Sequence, residues 1–93
     1  MDIHQIVSFE DIYLLPGNYI MERFNTLSQM IRDDVKFKKS TALWVSPDVS
    51  SALVLSGEVP FDVDNMDENP LFVGKLDHLK VYVDLDSTGI KFK

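Results

Sequence analysis

The sequence predicts a small α+β domain in which a long helix packs on a sheet of three or four strands. Three observations support this fold class. An apolar stripe recurs at helical spacing through residues 18–37, a short apolar run at 42–45 leads directly into a second helix, and residues 71–83 alternate around a turn as paired strands do. The expected order is long helix, strand, short helix, acidic loop and β-hairpin. This is a small α/β layer with helices on at least one sheet face.

Composition and charge limit the functional classes. The 93 residues suit one domain, 1–93, and 15 acidic against 9 basic residues give a net charge of −6. This balance disfavours direct nucleic-acid binding, which needs a concentrated basic face. The lack of cysteine excludes disulfides and thiolate chemistry. No run reaches the ~18 apolar residues of a membrane span, and no secretory signal pattern opens the chain, so neither a membrane partner nor a signal peptide is expected.

The first 17 residues are expected to form an N-terminal arm or strand. Their apolar residues fit neither the strand period nor the helix period throughout, and a short strand or extended arm is predicted near residues 3–9. The Pro-Gly pair that follows is a clear break. Residues 18–93 then carry the remaining predicted elements.

The long helix is predicted over residues 18–37, with Asn18 as a candidate N-cap. Tyr19 and Met30 widen its apolar stripe, which is expected to face the core. The basic cluster at the end of the helix is expected to complement the helix dipole and to stay solvated. The stripe consists of Ile20, Phe24, Leu27, Ile31 and Val35, and the basic cluster of Lys36, Lys38 and Lys39.

The stretch 41–57 is predicted to be a buried strand that runs into a short helix. Ser46 stands at the N-cap position and Pro47 at the first helical position, where its missing N–H costs nothing. Asp48 adds negative charge to the first turn, and Gly57 is a natural C-terminal stop. Trp44 is expected to be buried in the strand, against the helix face formed by Phe24, Leu27 and Ile31.

Residues 58–70 are predicted to form a mobile, exposed acidic loop. Its carboxylates would repel one another if several copies met around an axis, so association is expected to strengthen with salt. After the loop we expect a strand at 71–73 broken by Gly74, a turn at Asp77 and His78, and a half-buried strand at 79–83. A turn at 84–89 and a last strand at 90–93 complete the chain. The loop carboxylates are Glu58, Asp62, Asp64, Asp67 and Glu68.

The sharpest local motif is VYVDLDSTG, residues 81–89. An apolar strand followed by Asp84, Asp86 and Thr88 resembles the nucleophile motif of haloacid-dehalogenase-type phosphatases. That resemblance implies an aspartyl nucleophile, an acid/base carboxylate and a magnesium site. The motif also resembles the start of an EF-hand loop, whose twelfth position would need a glutamate. Too few residues follow for either site, so an ordinary turn is the preferred interpretation.

The other candidate sites have simpler interpretations. Asp62, Asp64, Asp67 and Glu68 could collect a calcium ion, but a solvated loop is expected. His4 and His78 lack metal-ligand spacing to any partner. Ser46 lacks a nucleophile elbow, and no glycine-rich phosphate loop is present. The sequence therefore predicts no catalytic residues, no metal site and no cofactor.

The order of motifs between Trp44 and Asp84 resembles the C-terminal part of tailed-bacteriophage major capsid proteins, especially those of contractile-tailed phages. An apolar strand runs into Ser-Pro-Asp-Val at 46–49, and after a variable acidic loop come Val-Gly-Lys-Leu at 73–76 and Val-Tyr-Val-Asp at 81–84. The long helix also fits the helix that precedes this block in such proteins. The resemblance covers roughly residues 18–86 and includes only the axial-domain portion of that fold.

The resemblance implies a structural virion protein that makes homotypic contacts in capsomers, located in the capsid and otherwise in the host cytoplasm. It implies no enzymatic activity, no membrane partner and no direct contact with nucleic acid. The alternative is a small acidic protein-binding module without catalysis that pairs through an exposed sheet edge. An enzyme is the least favoured interpretation.

Overall fold

A computed structural model describes residues 2–60, 71–86 and 89–93. A short 3-10 helix at Ile3–Gln5 opens the chain and is followed by three α-helices and four strands. The helices are α1 (Phe9–Tyr13), α2 (Ile20–Val35) and α3 (Pro47–Leu55); the strands are β1 (Ala42–Val45), β2 (Phe72–Leu76), β3 (Leu79–Val83) and β4 (Lys91–Phe92). Helices that pack on one mixed sheet confirm the predicted α+β class.

The four strands form one sheet in the order β2-β3-β1-β4. The central strands β1 and β3 are parallel, whereas β2 and β4 lie antiparallel to their neighbours at the two edges. The predicted hairpin is therefore present as β2 and β3, and Asp77 in its turn has a positive φ of 56°. Helix α3 connects β1 to the hairpin, so β1 and β3 can run parallel.

The helices cover one face of this sheet. Leu43 and Val45 of β1 are fully buried on that face, and so is Val81 of the neighbouring β3. Helices α1, α2 and α3 contribute the opposing layer, and the 3-10 helix adds to it. The buried apolar residues of this core from the helical part are Ile3, Ile6, Ile12, Leu15, Phe24, Leu27, Ile31, Val35, Val49, Ala52 and Leu53.

The predicted stripe of α2 is confirmed, with four of its five residues buried and Ile20 packed at the edge of the core. Its predicted cap is wrong. Tyr19 is the N-cap, without a side-chain hydrogen bond, whereas Asn18 lies one residue earlier and its backbone N–H donates to Glu22 Oε2 at 3.2 Å. Tyr19 is 59% exposed and does not widen the stripe, but Met30 packs against the core as expected.

The junction of β1 and α3 forms as the sequence predicts. Ser46 Oγ accepts a hydrogen bond from the Val49 N–H at 3.2 Å, and Pro47 begins the helix. The Ser46 hydroxyl also donates to the Val7 carbonyl, and Asp48 Oδ2 accepts from the Phe9 N–H at 3.0 Å. These bonds join the N-terminal segment to the start of α3. Beyond the helix, residue 57 is a glycine with φ 79°, the left-handed conformation expected at this end.

The predicted arm or strand near residues 3–9 is wrong, because helical turns occupy this segment. Ser8 and Asp11 form a reciprocal capping box at the start of α1, in which Asp11 Oδ2 accepts from the N–H groups of Ser8 and Val7 at 3.0 and 2.9 Å. These two bonds lower the pKa of Asp11. The short spacing between the capping pair supplied a helix-start signal that the scattered apolar residues obscured.

Gly74 does not break the strand at 71–73 but lies inside β2. The register of β2 against β3 shifts between Phe72 and Gly74, which marks a bulge or irregularity there. A Cβ atom at position 74 would overlap the carbonyl oxygen of Pro60. Position 74 therefore needs glycine because the backbone that follows α3 passes close to β2 at this point. The glycine does not end the strand.

The predicted burial of Trp44 against α2 is wrong. Successive side chains of a strand point to opposite faces, so Leu43 and Val45 face the helices and Trp44 faces away from them. Trp44 is only half-buried and lies outside the core that contains Phe24, Leu27 and Ile31. The four consecutive apolar residues of β1 suggested burial on both faces, but only one face is covered by helices.

The two faces of β1 differ in their contribution to stability. Leu43→Ala should lower the free energy of unfolding by about 2–5 kcal/mol, because it leaves a cavity in a fully buried site. Trp44→Ala should cost about 1–2 kcal/mol, because it removes a partly exposed ring and one stacked pair. Urea unfolding of both variants measures the difference. A larger loss in Trp44→Ala than in Leu43→Ala would contradict this assignment of faces.

Candidate functional site: the open face of the sheet

The sheet face away from the helices is the candidate functional site and is called the open face below. Laterally paired residues lie on the same face, so the register defines its members. Trp44 pairs with Tyr82 on one side and with Lys91 on the other, and Lys80 pairs with both Ala42 and Lys75. The open face comprises Ala42, Trp44, Phe72, Lys75, Lys80, Tyr82, Lys91 and Lys93.

Three aromatic rings cross the open face from β1 to β2. Trp44 and Tyr82 stack with their centroids 4.8 Å apart and their planes 14° apart. Phe72 lies 5.5 Å from Tyr82 at a tilt of 59° and is itself only 6% exposed. Stacked and tilted pairs of this kind add stability beyond their buried area. They form an apolar strip on a sheet face that no described helix covers.

Four exposed lysines surround this strip. Lys93 places its Nζ 4.8 Å from the centroid of the Trp44 ring, within the range of a cation–π contact. Lys75 and Lys80 stand directly opposite each other on β2 and β3, an arrangement that is destabilising for like charges. The four strands contain no Asp or Glu, and none of these four lysines forms an ion pair with a described residue.

Several basic residues on the helical side are, in contrast, neutralised by carboxylates. Arg32 of α2 lies 2.7 Å from Glu58 and 2.9 Å from Asp77, which joins the long helix to the end of α3 and to the hairpin turn. The hydrogen bonds from Arg32 to Asp77 and Glu58 raise the pKa of its guanidinium above the usual value. Lys36 and Lys38 pair with acidic residues one turn earlier in α2.

The charge of the chain is therefore unevenly distributed. Four of the nine basic residues lie on the open face, and the four strands that form this face contain no acidic residue. The open face is a positive area on a strongly acidic protein. Ammonium groups around an apolar strip suit noncovalent recognition of an acidic surface, because charge gives orientation and the half-buried Trp44 and Tyr82 still have area to bury.

A second polar cluster holds β4 against the helices. His4 Nδ1 lies 2.5 Å from the Ile90 carbonyl oxygen, and Lys38 Nζ lies 2.7 Å from Asp34 Oδ2. Asp34 Oδ2 is buried and accepts no hydrogen bond from a described residue. Its contact with Lys38 is therefore an ion pair that lacks hydrogen-bond geometry. A shallow pocket of about 390 Å³ adjoins this cluster and is lined by Asp2, Ile3, Met30, Asp33, Asp34 and Phe37.

The residues singled out by motif do not come together as a catalytic site. Asp84 Oδ1 accepts from the Asp86 N–H at 3.1 Å, which confirms a local turn, while Thr88 lies outside the described residues. His78 is exposed in the hairpin turn and has no contact with His4, and Ser46 forms the N-cap of α3. The candidate calcium ligands in the acidic loop also lie outside the described residues.

Two negative findings concern the described part of the chain only. Within residues 2–60, 71–86 and 89–93, no three acidic or histidine side chains are grouped so that they could hold a metal ion. Over the same residues, no helix has both the length and the apolar character needed to cross a bilayer.

Sequence reasoning missed the open face as a site, although part of its signal was visible. The alternation of β3 placed Lys80 and Tyr82 on one face, as the structure confirms. The corresponding alternation in β1 was hidden by four apolar residues in succession. The contribution of β4 could not be predicted without the long-range pairing of Trp44 with Lys91.

Comparisons with known protein families, with curated proteins and with solved structures find no match for this chain. A functional proposal therefore rests on two observations: the geometry of the open face, and the resemblance of the motifs between Trp44 and Asp84 to those of phage capsid proteins.

The positive potential around Trp44, the single tryptophan, can be measured by ionic quenching of its fluorescence. With each ion's quenching constant divided by its value for free N-acetyltryptophanamide, iodide should quench Trp44 about twofold or more better than caesium, despite the net charge of −6, because local lysines concentrate anions. Lys93→Gln should reduce the iodide effect, and the matched change Lys36→Gln on the helical side should not. Equal quenching by both ions, or preferential quenching by caesium, would contradict the proposed potential.

Proposed function

We propose that this chain is a structural virion protein, similar to the axial-domain portion of a contractile-tailed phage major capsid protein. In this role it makes homotypic contacts within capsomers and carries out no catalysis. One observation supports the proposal above others. The segments that carry the family resemblance are separated in sequence by the acidic loop, yet they are adjacent in the fold as β1, α3 and the β2–β3 hairpin.

Each of these segments has a clear structural role. Ser46 and Pro47 turn β1 directly into α3, and Val49 of that helix is fully buried. Gly74 permits the close approach of Pro60. The segment 81–83 pairs with β1 in parallel. The motifs thus belong to one supersecondary unit. This supports the proposal, because segments that match one domain of another protein should lie together in the fold.

Features outside this unit favour association with other chains. The sheet ends in edge strands β2 and β4, and strand edges are sites where another chain can add. Large apolar side chains are exposed at several points, including Leu14 at 72%, Phe37 at 90% and Leu85 at 73%. Exposed apolar area and free strand edges are typical of proteins that bury more surface on assembly.

The alternative function is that of a small acidic, noncatalytic protein-binding module. The lysines of the open face form no ion pair with a described residue, and this favours the alternative, because an acidic foreign protein could bind there as well as a capsid subunit could. The two functions differ in their partner. A capsid protein binds its own copies or other capsid subunits, whereas a binding module remains monomeric until its partner is present.

Sedimentation velocity of the purified chain over a wide concentration range separates the two functions. The capsid proposal predicts concentration-dependent self-association and closed rings visible by negative-stain electron microscopy, because homotypic capsomer contacts surround an axis. The binding-module alternative predicts a monomer at every concentration. A strict monomer in low and high salt would overturn the capsid proposal.

A further inference from the structure

We infer that the open face binds the acidic surface of a second copy of this chain, in a head-to-tail contact. The inference rests on the proposed function, because it identifies the surface through which homotypic association occurs. The open face is defined by the aromatic strip and by the lysines at positions 75, 80, 91 and 93.

The first argument is that the lysines of the open face form no ion pair with a described residue. Lys75 and Lys80 face each other across β2 and β3, and Lys91 adds another charge beside Trp44. Like charges at paired positions cost stability in the isolated chain. A surface that supplies carboxylates would reduce this repulsion on binding, so association gains an interaction that no described residue of the same chain provides.

The second argument concerns orientation. Two open faces placed against each other would bring two sets of four lysines together, and such a contact is electrostatically unfavourable. The open face must therefore meet a different surface of its neighbour. A contact between unlike surfaces is heterologous, and its repetition gives a ring when the rotation closes. This is the symmetry that a capsomer requires.

The third argument concerns the partner surface. The chain as a whole carries 15 acidic against 9 basic residues, and the four strands of the open face contain none of the acidic ones. Exposed carboxylates without an ion pair to a described residue occur in the N-terminal segment and in the turn at residues 84–86. The described examples are Asp2, Glu10 and Asp86. These segments of a second copy can present negative charge to the four lysines.

Single-stranded nucleic acid would also bind lysines beside aromatic rings, but the ring geometry disfavours it. Bases bind to such proteins by stacking on free aromatic faces. Here Tyr82 stacks on Trp44 from one neighbouring strand, and the Lys93 ammonium lies over the same ring from the other side of β1. Phe72 is almost fully buried. No ring of the strip offers a free face comparable to a stacking platform.

The open face also sets the sign of the salt dependence. Attraction between its lysines and a neighbour's carboxylates is screened by salt, so association through this contact should weaken as ionic strength rises. Repulsion among the acidic loops would give the opposite trend. The salt series therefore shows which of the two electrostatic effects dominates association.

The test uses two double variants of the full chain that change net charge equally. Lys80→Glu with Lys91→Glu reverses charge on the open face, and Lys36→Glu with Lys39→Glu does so on the helical side. All four positions are exposed. We expect the open-face variant to self-associate about tenfold or more less tightly, equivalent to ~1.4 kcal/mol. The helical-side variant should stay within about threefold of the unmodified chain.

Circular dichroism establishes that each variant is folded. If the charge reversal disturbs the sheet, the milder pair Lys80→Gln with Lys91→Gln replaces it and should still weaken self-association, by a smaller factor. Equal weakening in both double variants, or association that strengthens with salt, would overturn the inference and leave the capsid proposal intact. Tight binding of a single-stranded oligonucleotide that is lost only in the open-face variant would overturn it in favour of nucleic acid. A monomeric unmodified chain would refute the proposed function itself.

Discussion

In the parallel pair of β1 and β3, four residues of each strand lie in register, and hydrogen bonds extend the pairing at both ends. The Lys80 N–H donates to the Thr41 carbonyl at 3.0 Å, and the Asp84 N–H donates to the Val45 carbonyl at 2.7 Å. Helix α3 lies between these strands in the chain, and after it the β2–β3 hairpin packs beside β1. This pairing fixes which residues face the helices and which form the open face, because it aligns the alternation of the two central strands.

The elements that local chemistry specifies could be predicted from the sequence. The stripe of α2 and the Ser-Pro start of α3 depend on residues within a few positions of one another, and both are present as expected. The turn at Asp77 and His78 and the alternation of β3 belong to the same class. In α2, β3 and the hairpin turn the spacing and type of neighbouring residues are sufficient to define the local structure, and in α3 the cap adds to them.

The features that depend on distant partners could not be predicted. The burial predicted for Trp44 is wrong because a run of four apolar residues does not show which sheet face the helices cover. The strand end predicted at Gly74 is wrong because the need for glycine comes from close approach to Pro60, a distant segment of the chain. Prediction of the open face would have required both the order of the strands and the pairing of Lys91 with Trp44. Long-range pairing, and not local propensity, determines these positions.

Several basic residues of this acidic chain lie on the sheet face that no described helix covers, which makes the distribution of charge asymmetric. On the helical side, Arg32 is bound by two carboxylates and stabilises the packing of three elements. On the open face, the lysines have no such role within the described residues and instead flank an apolar strip. The difference separates basic residues that maintain the fold from those that are available for a partner.

Amine-reactive footprinting of the lysines at low and high protein concentration tests most directly whether the open face is the contact surface. The account predicts that Lys80 and Lys91 lose reactivity as the chain associates, whereas Lys36 and Lys39 keep theirs. The two pairs have the same chemistry and are all exposed in the single chain, so a difference reports contact and not intrinsic reactivity. Protection confined to Lys36 and Lys39, or equal protection of all four residues, would contradict the account.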